Sequence, residues 1–265
     1  MEKNTQSRNK NWKLGFTLVE LLVVISIIAV LLSILMPALS KVRKQAQSVV
    51  CCTNLKQVGL GMHLYTRANN DTFMKYYGES ISEKAWFTRL VKDGKLYSDN
   101  IIEYVSGYGV FFCPSYTISP NCYKSAADKK RYPNLRDYQI RQGWIAYGMN
   151  ARLTDDGGAT KPAKITEIKT PANMIMMTDA WHKNDPLMPA FAGGKSLVTG
   201  TWFTRGYYNA GIDDVALWHQ GAANVLWVDG HVTRVKAPNQ KSDSSIYDAS
   251  ALGNYGLANN FWDRK

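Results

Sequence analysis

The stretch Lys13-Leu14-Gly15-Phe16-Thr17-Leu18-Val19-Glu20, continued as an apolar run to Met36, decides how the rest of the chain is read. Phe16 to Met36 gives 21 positions in which only Thr17, Glu20, Ser26 and Ser33 are polar. A helix of that length, rising about 1.5 Å per residue, is roughly 30 Å long and matches the hydrocarbon thickness of a bilayer. Two residues make it more than a plain anchor. Glu20 sits five residues into the run, where a carboxylate costs on the order of 2–3 kcal/mol and calls for a partner. Gly15 precedes the run, where its lack of a Cβ lets a protease approach the backbone closely. A secretory signal has a shorter apolar core and a small-residue cleavage site. Ala38-Leu39-Ser40 is a mediocre site of that kind.

Working outward, composition narrows the classes. The 265 residues carry 32 Lys+Arg and 21 Asp+Glu, a net charge of +11, with 45% hydrophobic residues, 15 Tyr and 8 Trp. There is enough apolar and aromatic material to bury a core, which excludes an intrinsically disordered chain. A single long apolar run excludes a multi-span membrane protein. Four Cys in this length do not make a small disulfide scaffold.

The Gly15-Phe16-Thr17-Leu18-Val19-Glu20 pattern resembles the class III signal of type IV pilins and type II secretion pseudopilins. The resemblance implies cleavage by a prepilin peptidase between Gly15 and Phe16 and methylation of the new Phe16 amine. It also implies that Glu20 pairs with the amine of a neighbouring subunit during assembly. A carboxylate in a low-dielectric site becomes tolerable once a cation meets it. Cleavage removes four basic residues and one acidic one, leaving 28 basic against 20 acidic and a net charge of +8. Lys41, Arg43 and Lys44 follow the run as closely as Lys3, Arg8, Lys10 and Lys13 precede it. The positive-inside rule is therefore nearly balanced, and a cytoplasmic amino terminus follows from the resemblance, not from charge.

Pro37 is expected to kink the helix without ending it. Apolar residues recur at helical spacing in two sets, Leu35, Leu39, Val42, Ala46, Val49 and then Cys51, Leu55, Val58, Met62, Tyr65. This predicts one long helix to about Thr66, ending before Asn69-Asn70-Asp71 and roughly 75 Å long. The expected organisation is a leader over 1–15, a transmembrane segment over 16–36, an amphipathic stalk helix over 37–66 and a soluble head over 67–265. The expected fold class is α+β and pilin-like, a long amino-terminal helix packed on an antiparallel β-sheet head with loop insertions.

Within the head, Cys51-Cys52-Thr53-Asn54-Leu55-Lys56-Gln57 resembles the C-x-x-N-L-[KR]-Q segment of a pseudopilin-like family that carries an H-X9-DG motif. Asn54 and Gln57 are expected to satisfy backbone groups where the head begins. Phe111-Phe112-Cys113-Pro114 resembles that family's F-x-C-P segment. Ala85 to Leu96 can form a short helix, and residues 119–137 read as a basic surface insertion. Ile145–Asn150, Met174–Asp179 and Ala223–Val228 read as strands, the last returning as His231–Val235 through a two-residue Asp229-Gly230 turn. His219 lies ten residues before Asp229, with nine between, and completes H-X9-DG with Asp229 and Gly230. His219, Asp229 and Asp179 are read as a hydrogen-bonded fold determinant in preference to a metal site, and no metal or cofactor is expected. Cys51, Cys52, Cys113 and Cys122 are candidates for disulfides. Cys113 with Cys122 would close a short loop, while Cys113 with Cys51 or Cys52 would pin the head to the stalk. No C-x-x-C zinc spacing is present.

The function expected is a structural, pseudopilin-like subunit of a type II secretion system or type IV pilus-like filament. The head is large for a major subunit, which suits a minor or specialised one. The expected partners are prepilin peptidase, other pilin or pseudopilin subunits, and an inner-membrane assembly platform. The expected location is the bacterial inner membrane, single-pass, with the head on the periplasmic side and then in a filament or at the cell surface. The alternative is a DNA- or polyanion-binding pilin-like surface protein, allowed by the positive charge and the basic run from Lys124 to Arg136. Nucleic acid is the weaker expectation, because a basic surface also suits acidic polysaccharide or lipid. No G-x-S-x-G, H-E-x-x-H or phosphate loop appears, and Asp155-Asp156 and Asp213-Asp214 sit in turn-like sequence, so an enzyme is not expected.

Overall fold

The computed structural model describes residues 16–74, 86–91, 104–105, 107–115, 125–142, 145–150, 153–154, 161–180, 203–204 and 219–236. The chain divides into two units, Met1–Arg43 and Lys44–Lys265. A single helix, α1, runs from Leu18 to Ala68 with Pro37 inside it. The periodicity placed its end two residues earlier.

In the first unit α1 is apolar on every side and its large side chains are exposed, from Leu18 through Leu39 to Val42. Its polar groups are satisfied locally. Ser26 Oγ donates to Leu22 O at 2.7 Å and Ser33 Oγ to Val30 O at 2.7 Å, so neither hydroxyl stands unpaired in an apolar surrounding. By length and composition this helix is able to cross a membrane.

In the second unit α1 becomes one-sided. Cys51, Leu55, Val58 and Met62 are fully buried at helical spacing, while Val49, Leu60 and Leu64 stay exposed. The helix ends where Asn70 and Asp71 adopt positive φ, with Asp71 N–H donating to Thr66 O at 2.8 Å. Asn and Asp tolerate that left-handed geometry better than other residues with a Cβ.

The sheet comprises β1 (Tyr147–Asn150), β2 (Ile175–Asp179), β3 (Phe203–Thr204), β4 (Ala222–Trp227) and β5 (Val232–Lys236), in the order β3-β1-β2-β4-β5. Four strands, β1, β2, β4 and β5, pair antiparallel, and the two-residue β3 adds a parallel edge on β1. A long amino-terminal helix with this sheet is an α+β arrangement of the pilin kind. β1, β2 and β4 are buried along their whole length, so their apolar residues do not alternate with exposed ones, and the polar Asn150, Thr178, Asp179 and Asn224 within them are buried as well. Edge strand β5 is only half-buried. Trp86, Phe87, Tyr108 and Phe111 form an aromatic cluster with edge and tilted ring contacts of 5.7–6.4 Å.

Two expectations are refined and one is corrected. Within the basic surface stretch over 119–137, α2 (Ala126–Arg131) forms with no buried residue and α3 (Leu135–Gln142) begins, burying Tyr138 and Ile140 just beyond the stretch; residues 119–124 lie outside the described ones. Lys129, Lys130 and Arg131 occupy the last turn of α2, where cations complement the helix dipole, and Ser125 caps its start by accepting from Asp128 N–H. The segment after Ala85 makes one 3-10 turn, Trp86–Arg89, and residues 92–96 lie outside the described ones. The β4–β5 connection has three residues, not two. Gly230 N–H donates to Trp227 O and Trp227 N–H to His231 O, so Val228-Asp229-Gly230 form the loop and only Gly230 takes positive φ, 90°. This is a type I turn followed by a glycine bulge, a common hairpin closure that leaves Asp229 with ordinary backbone angles.

Two glycines of α1 allow its close approach to the rest of the unit. A Cβ on Gly59 would lie 2.9 Å from Leu226 Cδ1, and one on Gly61 would lie 2.4 Å from Val105 Cγ2 and 3.2 Å from Tyr104 O. Leu226 can swing its side-chain end away, but Tyr104 presents backbone. Alanine gains about 1 kcal/mol of helix propensity at either site, whereas overpacking costs about 1–3 kcal/mol. Gly61→Ala is therefore expected to melt below Gly59→Ala in a thermal denaturation series. Equal or reversed midpoints would show that Gly61 is not a packing requirement.

Candidate functional site

Three places carry the residues singled out by the sequence. The first is the start of α1. Thr17 is the residue before the helix, and its Oγ1 accepts from Glu20 N–H at 3.2 Å. Glu20 Oε2 in return accepts from Thr17 N–H at 2.8 Å and from Thr17 Oγ1 at 2.7 Å. This reciprocal arrangement is a capping box. Sequence reasoning missed it although Thr-x-x-Glu was its signal. Phe16 is exposed beside it, and Gly15 lies outside the described residues.

The second place is a buried cluster where α1 meets the segment Phe112–Ser115 and the turn before β4. Cys51 and Cys113 form a disulfide, so the pairing of Cys113 with Cys122 is overturned; Cys122 lies outside the described residues. Cys52 keeps a free thiol, which donates to Asn224 Oδ1 at 3.1 Å. Gln47 Nε2 donates to Pro114 O at 3.2 Å and Asn54 Nδ2 to Phe112 O at 3.3 Å. Asn54 thus does satisfy a backbone carbonyl, whereas Gln57 is exposed with no hydrogen-bond partner among the described residues. His219 is buried, with Nε2 3.5 Å from Cys113 Sγ and 3.5 Å from Asp179 Oδ2, and Nδ1 3.4 Å from Ser115 Oγ. The Arg234 guanidinium donates to His219 O, and Asn224 N–H donates to Asp179 Oδ2 at 2.6 Å.

Charge is suppressed throughout this cluster. Burial raises the Asp179 carboxyl well above the usual carboxylate range, against the opposing pull of the Asn224 N–H and Arg234. Burial, and then Arg234, lowers His219 to about 4. Burial and the neighbouring Asp179 raise the Cys52 thiol and the Tyr147 phenol. Burial thus disfavours the charged form of both His219 and Asp179, whose facing atoms stand 3.5 Å apart.

The third place is the hairpin loop, at the opposite end of β4. The structure separates Asp229 from His219 and Asp179, because a six-residue strand intervenes. Asp229 instead accepts from His231, at 3.1 Å to the backbone N and 2.5 Å to Nδ1. Burial works against its charge, but these contacts hold its carboxyl below the usual range. His231 stacks on Trp227, with ring centroids 5.5 Å apart. Gly230 faces His63 of α1, and a Cβ there would lie 3.4 Å from His63 Nε2. The nine-residue spacing between His219 and Asp229 thus spans β4, fixing one end at the disulfide and the other against α1. His63 escaped the sequence reading because its partner is a backbone turn 167 positions away in the chain, a contact no local pattern announces. His182, Asp155, Asp156, Asp213 and Asp214 lie outside the described residues.

The family described as the prokaryotic N-terminal methylation motif matches residues 13–36. Comparison with curated proteins and with solved structures gives no match. The matched motif supports a type IV pilin-like protein, processed by prepilin peptidase and anchored through its apolar helix.

His63 gives a pH test of the hairpin docking. Its Nε2 is buried without a hydrogen-bond partner among the described residues. Burial lowers its pKa from 6.5, only partly offset by Asp229. A histidine depressed in the fold contributes stability that is complete above its unfolded value and is lost as pH falls below about 6.5. The melting temperature is expected to drop from pH 7 to pH 5, and His63→Gln to drop less over the same interval. Comparing the two slopes cancels the titrations of His219 and Asp179. Parallel slopes would remove His63 from the account.

Proposed function

We propose that the chain is a structural, pseudopilin-like subunit of a type II secretion system or type IV pilus-like filament. It is cut between Gly15 and Phe16, methylated on Phe16, and assembled through α1. The observation that carries this reading is the methylation motif at residues 13–36 running directly into one continuous helix, Leu18–Ala68. The first part of that helix exposes apolar side chains all round, and its later part keeps Val49, Leu60 and Leu64 exposed opposite the buried Cys51–Met62 face. Such surface has two fitting surroundings, lipid before assembly and neighbouring helices after it. The proposed partners are prepilin peptidase, other subunits of the same kind and an inner-membrane assembly platform. The head is proposed to lie on the periplasmic side. No catalytic role is proposed.

Glu20 is proposed to neutralise the Phe16 amine of a neighbouring subunit. Its capping role complicates a simple alanine test, because Glu20→Ala removes both functions. Glu20→Gln keeps a side chain that can close a capping box but carries no charge. Mass spectrometry of the mature chain is expected to find a methylated Phe16 at the amino terminus in the unsubstituted protein and in Glu20→Gln. Filament formation is expected only in the former. An intact Met1, or cleavage after Ser40, would remove the processing claim. Filaments of normal abundance from Glu20→Gln would remove the claim that charge pairing drives assembly.

A further inference from the structure

The buried cluster holds more ligating chemistry than a disulfide alone requires. The sulfurs of Cys51 and Cys113 and a ring nitrogen of His219 lie within 4.8 Å of one another, and all three residues are buried. Asp179 Oδ2 stands 3.5 Å from His219 Nε2, and Asp179 Oδ1 is buried with no hydrogen-bond partner among the described residues. An orphaned carboxylate oxygen in a fully buried site is costly unless some state of the protein uses it. We propose that Cys51, Cys113, His219 and Asp179 form a latent site that binds one zinc ion when the Cys51–Cys113 disulfide is reduced.

The donor set fits zinc. Two thiolates, an imidazole and a carboxylate match its tetrahedral preference for sulfur, nitrogen and oxygen ligands at roughly 2.0–2.3 Å. The sulfurs exclude calcium and magnesium, which take oxygen ligands. Reduction releases the two sulfurs from one another, leaving both free to turn to an ion beside the His219 ring, with Asp179 Oδ2, 3.5 Å from that ring, as the fourth donor of the proposed site. The outer groups are already in place. Ser115 Oγ lies 3.4 Å from His219 Nδ1, within reach to accept a proton from that nitrogen in the tautomer that leaves Nε2 free to ligate. Asn224 N–H orients Asp179. The Arg234 guanidinium, held on His219 O, offsets the single negative charge left by two thiolates, a carboxylate and a divalent ion. The ligands are 62 and 106 residues apart along the chain, from Cys51 to Cys113 and from Cys113 to His219. No local zinc signature exists for a sequence reading to find.

The reaction balances with a dithiol as reductant. The dithiol gives up two electrons and two protons and becomes a disulfide, while Cys51 and Cys113 become thiols. Zinc then displaces both thiol protons and any proton on Asp179, and binds His219 through Nε2. The disulfide cross-link between α1 and the Phe112–Ser115 segment is replaced by a metal cross-link between the same elements.

The test uses the full chain in detergent, with and without reduction by a water-soluble phosphine, then zinc loading and desalting. The reduced chain is expected to retain about one zinc per chain and the oxidised chain none. Cobalt in place of zinc is expected to give the spectrum of a tetrahedral ion with two thiolate ligands, which needs no substitution to read. His219→Ala is expected to weaken retention about tenfold or more, and Cys52→Ser to leave it unchanged. The proposal is overturned if the reduced chain stays folded without zinc uptake, or if it unfolds and takes up none. It is equally overturned by uptake that His219→Ala and Cys113→Ser leave unaltered, or that Cys52→Ser abolishes.

Discussion

The second unit depends on one packed face of α1. Cys51, Leu55, Val58 and Met62 are buried on it, and burying each of the larger side chains is worth roughly 1.5–3 kcal/mol. Gly59 removes the side chain that would keep Leu226 of β4 away. Once that contact is made, every other feature has a fixed point. Cys51 is placed to bond Cys113, closing a chain separation of 62 residues, worth roughly 4 kcal/mol in the chain-entropy account. Tyr147 OH of β1 reaches Cys51 O at 3.5 Å. The β4–β5 loop comes to rest on His63. The same helix obeys a different rule before Lys44, where no face is buried and its apolar side chains surround it. One uninterrupted backbone therefore meets two environments, and its sequence changes from apolar all round to one-sided where the second unit begins.

That change was legible. An all-apolar run followed by a period of 3.6 is a strong local signal, and it placed α1 to within two residues of its end. The strands were legible for a related reason, since Met174–Met177 and Val225–Val228 are unbroken apolar runs in the middle of the sheet. Local signals served less well where tertiary contacts decide. Residues 126–131 and 135–142 are too polar to advertise helices, and their form depends on a Ser125 cap and on Tyr138 finding the core. The Asp-Gly pair marked a hairpin correctly but not its length, because a two-residue turn and a three-residue turn with a glycine bulge use the same dipeptide.

The buried cluster was half legible. Each of its parts stood out singly: the paired Cys51-Cys52, Phe112-Cys113-Pro114, Asp179 at a strand end, and His219 ahead of the hairpin. Their convergence was not readable, because it needs the sheet register that sets Thr178 opposite Val225 and brings Asp179 beside Asn224. Grouping His219 with Asp229 followed motif spacing, yet spacing along a strand separates residues in space at about 3.4 Å per residue. The motif joins two anchor points by a rigid strand and does not make one site. His219 secures the disulfide end of β4, and Asp229 with Gly230 secures the end that meets α1.

The capping box at the start of α1 changes how Glu20 has to be understood. A carboxylate in an apolar run looks like an orphan awaiting a partner from another chain. Here it is already satisfied by the Thr17 amide and hydroxyl. If an amine arrives as proposed, it does not rescue an unpaired carboxylate but competes with two local charge-assisted hydrogen bonds. In water that competition is close, because exposed ion pairs are weak. In an apolar surrounding the Coulomb attraction between full charges grows several-fold while the local bonds still leave a net charge behind. On the proposed assembly, the local cap holds Glu20 until a neighbouring amine arrives, and the pair of full charges then takes its place. Cutting after Gly15 would leave the Thr17 amide and hydroxyl of the cap intact and create, one residue before them, the amine that in a neighbouring copy is their proposed competitor.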